Sequence, residues 1–269
     1  MSLRLRATLA FVLAAALVAP AVAQANPPPA GAWAALAKLP DWGGVWTSDL
    51  ADQIAQFDKT PPAWTPEAAR RAARMAADDK AGRPHNFYLN CLPEGMPGFM
   101  LITRNALEFL FTPGRVTVLG EMDGNRLRRI YTDGRGHPDD PDLTFHGHSI
   151  GHWQGEVLVV DTVGLLPENI LPVGQSVGVP NNGDMHIVEH LHLAGPDELH
   201  DDLEITAPHV LIQPWKTTRV FRRQRGPNAE IVEASCRQGD FTEGRDADGF
   251  SEFEPRPHGE GGAPLPDQP

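Results

Sequence analysis

Beyond residue 106 the chain is cut into short apolar runs by turn residues, and this punctuation limits the possible folds more than any motif does. Residues 107–112 lead through Pro113-Gly114 into 115–121, and Met122-Asp123-Gly124-Asn125 turns the chain into 126–132. Runs 148–153 and 157–163 flank Gln154-Gly155-Glu156; after a Gly/Pro/Asn loop at 172–183 come 185–193, 198–206, 215–223 and 229–236. Short strands with turns about every 8–12 positions predict a mainly β fold, either an antiparallel β-barrel of lipocalin-like shape or a β-sandwich. A barrel of about eight strands has an interior wide enough for one small ligand. One N-terminal surface helix is written at 65–80, with Thr65 as cap, Pro66 in the first turn, Glu67 near the positive end, and faces of mostly Ala and Arg.

Residues 1–23 have the form of a signal peptide: Arg4 and Arg6, an apolar stretch broken by Pro20, then Ala21-Val22-Ala23. That stretch is too short to span a bilayer, so the expectation is a periplasmic or secreted product without membrane insertion. A Pro/Ala-rich tether at 24–40, a single β-rich domain at 41–254 and a disordered tail at 255–269 complete the organisation. Loss of the signal takes away two arginines and no acid, moving the formal charge from −12 to −14. So acidic a balance repels nucleic acid. In an oxidising compartment Cys91 and Cys236 are expected to form a disulfide.

Candidate chemistry gathers in two strands. In 143–162, extended geometry puts His146, His148, Ile150 and His152 on one face, with Trp153 on the other covering the core. Imidazole titrates near neutrality, so His148 in a cavity is a candidate general base; the plainer reading is a buried or solvated histidine. In 185–193, His186, Val188, His190 and His192 share one face while Ile187, Glu189, Leu191 and Leu193 share the core face. There Glu189 must pair, with Arg219 or Arg222 as candidates, or take up a proton and become a candidate general acid. Asp161-Thr162 closes the apolar stretch 157–160, and the Asp161 carboxylate is placed to orient a histidine ring. Asp133 and Arg135 flank Gly134 in a turn they can lock together, or Arg135 faces the cavity mouth as an electrostatic clamp.

A metal is the alternative to cofactor-free chemistry: His146, His148 and His186 would supply nitrogens for a divalent transition metal if the two strands pair. An HExxH zinc site is not written, because Ile187 follows His186. Ser149 lies on a strand rather than on a strand-to-helix turn, so it reads as a hydrogen-bonding serine and not as an elbow nucleophile. The chain has neither a P-loop nor a GxGxxG fingerprint.

CLPEGMPG, TPGRV, RRIYTDGRGHP, GHSIGHWQGEVLVVDTVG and HIVEH, in this order over about 41–236, resemble a family of exported bacterial proteins with a DGRxHP…GHSxGxW…LVVDT…HxxE signature. The matching positions are Asp133, Arg135, His137, Gly147, His148, Ser149, Gly151, Trp153, Asp161, Thr162, His186 and Glu189. Gln154, Glu156, Val157 and His190 depart from the pattern. The resemblance supports the choice of residues and supplies no reaction. The expected function is therefore an exported lyase or isomerase binding an apolar or aromatic small molecule in a barrel cavity, without a cofactor. His148 is the base, His186 or Glu189 the acid, Asp161 the orienter and Arg135 the clamp, with Asp133, Trp153 and Ser149 contacting substrate. A non-catalytic lipocalin-like carrier is the other reading.

Overall fold

Along Glu198–Thr206 every second side chain (Leu199, Asp201, Leu203, Ile205) is buried while its neighbours face outward, and Val157–Val163 buries Leu158, Val160 and Thr162 in the same rhythm. A strand with one dry face must lay it against others, and here the solution is closure. In this computed structural model nine strands form a closed barrel, so barrel rather than sandwich is adopted. The structure describes residues 29–81, 92–101, 106–172, 178–234, 241–245 and 251–255. In chain order the strands are β1 (Val45–Ser48), β2 (Leu107–Thr112), β3 (Arg115–Gly120), β4 (Leu127–Tyr131), β5 (His148–Gln154), β6 (Val157–Val163), β7 (Ile170–Pro172), β8 (Gly178–Pro180), β9 (His186–Gly195), β10 (Glu198–Thr206), β11 (Trp215–Arg223), β12 (Phe241–Arg245) and β13 (Ser251–Pro255). Round the barrel the order is β1, β11, β10, β9, β6, β5, β4, β3, β2 and back to β1; β7 with β8, and β12 with β13, pair separately.

One neighbour departs from the expected antiparallel pattern. β4 and β5 run parallel, and only over Ile130↔Ser149 and Tyr131↔Ile150. Parallel neighbours cannot be joined by a tight hairpin, so 132–147 must leave the sheet and return. Thr144 fastens the returning chain, its N–H donating to the Gly164 carbonyl at 3.0 Å and its carbonyl accepting from the Leu166 N–H at 3.1 Å. This crossover delivers the residues of the candidate site.

Large side chains fill the barrel. Trp42 gathers Phe109, Phe111 and Trp153 about its ring at centroid distances of 5.3–5.6 Å, and Trp46, Leu107, Ile130, Leu158, Ile187 and Phe221 are buried in the same core. Aromatic pairs of this kind add about 0.5–1.5 kcal/mol each beyond their buried area.

The helical complement is larger than expected. The short α1 (Ala32–Leu36) lies inside the supposed tether, and α2 (Leu50–Lys59) is capped by Asp49, which accepts from the Asp52 N–H at 3.1 Å. α2 packs on β11, where the Trp215 indole N–H donates to the Thr60 carbonyl at 2.6 Å. The expected helix is α3 (Pro66–Lys80), with Thr65 accepting from the Ala68 N–H. Two single turns follow, α4 (Gly98–Leu101) and α5 (Met122–Asn125). The run from 229 is not a strand over its described part, 229–234. It is held instead by Asn125, whose amide donates to the Val232 carbonyl and accepts from the Ala234 N–H, both at 2.8 Å. The signal segment 1–23, the tail beyond Pro255, and both Cys91 and Cys236 lie outside the described residues. Among the described residues no helix is long and apolar enough to cross a membrane.

Candidate functional site

Gly147 divides the histidine segment. Its φ is +66°, and a Cβ there would lie 2.5 Å from the Val163 carbonyl oxygen, so only glycine fits without a shift. The kink takes His146 out of the alternation expected for it. His146 packs its ring edge-on to Phe99 at 4.9 Å, both ring nitrogens buried without a hydrogen-bond partner among the described residues. From His148 onward alternation is regular: Ser149 points into the barrel, His148 and the exposed His152 point out.

Outside the barrel, His148 meets a residue brought by the crossover. His137 Nδ1 lies 2.8 Å from His148 Nδ1, and His137 Nε2 lies 3.1 Å from Asp161 Oδ1. Asp161 projects outward from β6 beside β9, where its same oxygen is 2.9 Å from His186 Nε2. Asp161 and His186 each keep 42% of their side-chain surface exposed, so this group sits on the outer wall rather than within a barrel cavity.

With the rings neutral, one proton arrangement satisfies all three contacts. An ionised Asp161 only accepts, so His137 and His186 each donate from Nε2. Neutral His137 then has a lone pair on Nδ1, which accepts from His148 Nδ1–H. What remains is His148 Nε2 as an unprotonated nitrogen. Burial, with the nearby His137 and Arg135, holds the His148 pKa below its ordinary value and favours this neutral form. The Tyr131 ring stacks on His148 at 5.5 Å, and the Arg135 guanidinium lies 4.1 Å from the centroid of the same Tyr131 ring.

The remaining expected site residues are distributed differently. Arg135 is bonded through its own side chain to Asp133, at 2.9 and 2.6 Å, which holds the Asp133 carboxyl below its usual range; the pair locks the turn, so a free clamp is not available there. Trp153 lies in the aromatic core. Gly147 to Gly151 spells GxSxG, but Ser149 is 1% exposed, faces the barrel and bonds Thr162 at 2.8 Å, so it does not stand on a nucleophile elbow. Glu189 is buried as expected, yet on the inner face, away from His148 and His186. Its partner is neither Arg219 nor Arg222: Arg128 reaches from β4 with both terminal nitrogens, one of them also donating to Thr162 at 3.0 Å and to Ser149 at 3.3 Å. Beside this pair, burial and the neighbouring Glu189 push the Asp201 carboxyl well above the carboxylate range.

The proposed metal set does not assemble: the His146 ring is packed against Phe99, whereas His186 is bonded to Asp161 on the outer wall. Among the described residues no group of three His, Cys, Asp or Glu is arranged to hold a metal ion. His137 and Tyr131 were not in the expected site, although His137 stands in the DGRGHP motif and its proximity to His148 depends on the crossover.

Where β4 and β5 part, a cleft of about 590 Å³ opens, lined by Arg126, Arg129, Tyr131, His146 and His148 among others. Its size suits a small molecule, for which pockets run about 300–1,000 Å³. No protein-family model matches the chain, and a search of curated proteins finds no similar sequence.

His146 gives the site's wall a pH dependence. Desolvation, followed by repulsion from Arg128 and Arg126, lowers its pKa from 6.5 to about 4. Below pH 6.5 the unfolded chain takes up a proton that the folded chain refuses, so this contribution to stability is intact above 6.5 and lost as pH falls toward 4. Urea unfolding at pH 7 and pH 4 should show His146→Leu gaining on the parent by up to about 3 kcal/mol over that interval. An unchanged difference between the two pH values would mean that the ring is protonated in place.

Proposed function

We propose that the chain is an exported lyase or isomerase that moves protons on a small apolar or aromatic molecule, without a cofactor, in the cleft beside His148. The observation that carries this reading is the hydrogen-bonded series from Asp161 through His137 to His148, which leaves a lone-pair nitrogen at the end nearest the cleft. When His148 takes up a proton, its Nδ1–H still donates to His137, whose own N–H is fixed on a carboxylate. The growing imidazolium charge therefore has Asp161 two residues behind it.

In the reaction class envisaged, His148 Nε2 removes a proton from a carbon next to a carbonyl, and the bonding pair moves onto the carbonyl oxygen as an enolate. In dehydration that pair then returns to expel hydroxyl from the neighbouring carbon, and the His148 imidazolium gives up the proton it took, which makes the hydroxyl water. In isomerisation the proton is returned at a different carbon. Both courses balance without an oxidant or reductant. Glu189 has no part in this scheme, since it faces the barrel interior and is bound by Arg128.

A carrier of lipocalin type would hold its ligand along the barrel axis, and there Trp42, Trp46, Arg128, Arg219 and Phe221 are all fully buried and in place. That filling favours the wall cleft as the place where a ligand binds.

The test is solvent exchange. Full-length purified protein in D2O is incubated with aryl ketones, β-hydroxy carbonyl compounds and enones, and deuterium at carbon is read by mass spectrometry. Incorporation that falls away on the acid side, with a midpoint below pH 6.5, is expected from the lowered His148 pKa. Binding of panel members without any exchange would replace the enzyme reading with the carrier.

A further inference from the structure

The chain carries 35 acidic residues against 23 basic ones, yet the described residues lining the cleft include two arginines, two histidines and no aspartate or glutamate. Arg129 projects outward from β4 between Leu127 and Tyr131, is exposed, and has neither a hydrogen-bond nor an ion-pair partner among the described residues. Arg126 lies on the same lining one turn of chain earlier. Across the strand pair, Arg115 stands opposite Tyr131, adding a third guanidinium to this side of the barrel. By contrast Arg135, the nearest cation on the crossover, is already neutralised by Asp133. Arg129, on the strand, therefore offers a guanidinium that Arg135, on the loop, does not.

From this placement we propose that the substrate of the His148 cleft is an organic acid: an apolar or aromatic body bearing one carboxylate, the carboxylate held by Arg129 with Arg126 beside it. The proposal rests on the reading of this cleft as the reactive site and adds the substrate class. The cleft supplies both halves of such a molecule's recognition. A guanidinium presents paired N–H donors that match the two oxygens of a carboxylate, and charge-assisted bonds of this type are about twice as strong as neutral ones. Phe145, Leu127 and the Tyr131 ring offer apolar surface on the same lining, Leu127 being 42% exposed. A cation cluster in an otherwise acidic protein also attracts anions to this one place, because repulsion elsewhere is the rule.

Neutral and anionic probes of one shape decide the matter. Titration of the full-length protein with 3-phenylpropanoate, 3-phenylpropanamide and phenyl phosphate, followed by calorimetry, should show the carboxylate bound at least about tenfold more tightly than the amide at low salt, a ratio that shrinks as salt is added. Arg129→Gln, a change on the solvent face, should abolish the ratio, and Arg129→Glu should reverse it. Equal affinity for acid and amide, or a ratio untouched in Arg129→Gln, overturns the proposal; phosphate bound more tightly than carboxylate overturns the choice of carboxylate. Solvent exchange on neutral ketones in the same preparations separates this from the proton-transfer reading. Exchange without an anion preference removes only the organic acid, while an anion preference without exchange removes only the chemistry.

Discussion

Replacing Arg128 or Glu189 singly with alanine should cost the folded chain about 3–5 kcal/mol, the range found when one partner of a buried ion pair is removed and the other stays. The two side chains are 1% and 0% exposed, so neither has water to fall back on. Losing Arg128 also takes the donor from Ser149 and Thr162, whose side chains among the described residues are then left with each other at 2.8 Å. Losing Glu189 leaves the Arg128 guanidinium buried in the barrel with the Ser149 and Thr162 hydroxyls as its hydrogen-bond acceptors among the described residues. The double replacement Arg128→Met with Glu189→Leu should lose far less than the sum of the singles, because apolar side chains of similar volume avoid the desolvation that the pair must offset. Urea unfolding of the four proteins gives the coupling directly. Single variants that lose under about 1 kcal/mol, or losses that simply add, would mean that the pair is hydrated and that the barrel is not dry.

The same network shows which parts of this molecule were readable in its residues. Local alternation was: the inward set Ile187, Glu189, Leu191 and the outward set His186, Val188, His190 follow from the two-residue repeat, and the structure keeps both faces. The partner of Glu189 was not, because β4 reads Leu-Arg-Arg-Ile-Tyr and only its register against β3 and β5 decides that Arg128, not Arg129, turns inward. Closure was hidden for a related reason. β1 is four residues long, lies some sixty positions before β2, and becomes a strand through pairing with β2 and β11. At the site, His148, Asp161 and His186 were visible as outward residues of neighbouring strands, but His137 joins them only because β4 and β5 are parallel and the chain between them must cross outside. Gly147 likewise reads as one glycine among many until its left-handed backbone sends His146 and His148 to different environments.

Removal of the His148 ring is the most severe change expected for activity: His148→Ala should lower kcat/KM by about 10²–10⁴-fold in whatever exchange reaction the D2O screen reveals, the usual contribution of a positioned base. His137→Gln and Asp161→Asn act one and two steps further back and should lose less, in that order, since a ring still stands at 148 in both. Their signature is in the pH profile. Burial, His137 and Arg135 hold the His148 pKa below 6.5, so the wild-type acid limb falls there. Arg135→Gln takes away one repulsive charge and should move that limb to higher pH, whereas Asp161→Asn removes the attraction of a carboxylate for the protonated series and should move it lower. Opposite displacements from two residues on either side of one imidazole are not what a general loss of folding would produce. If the limb stays fixed in both variants while His148→Ala retains more than about a third of wild-type activity, proton transfer does not pass through this ring, and the cleft must work through some other group.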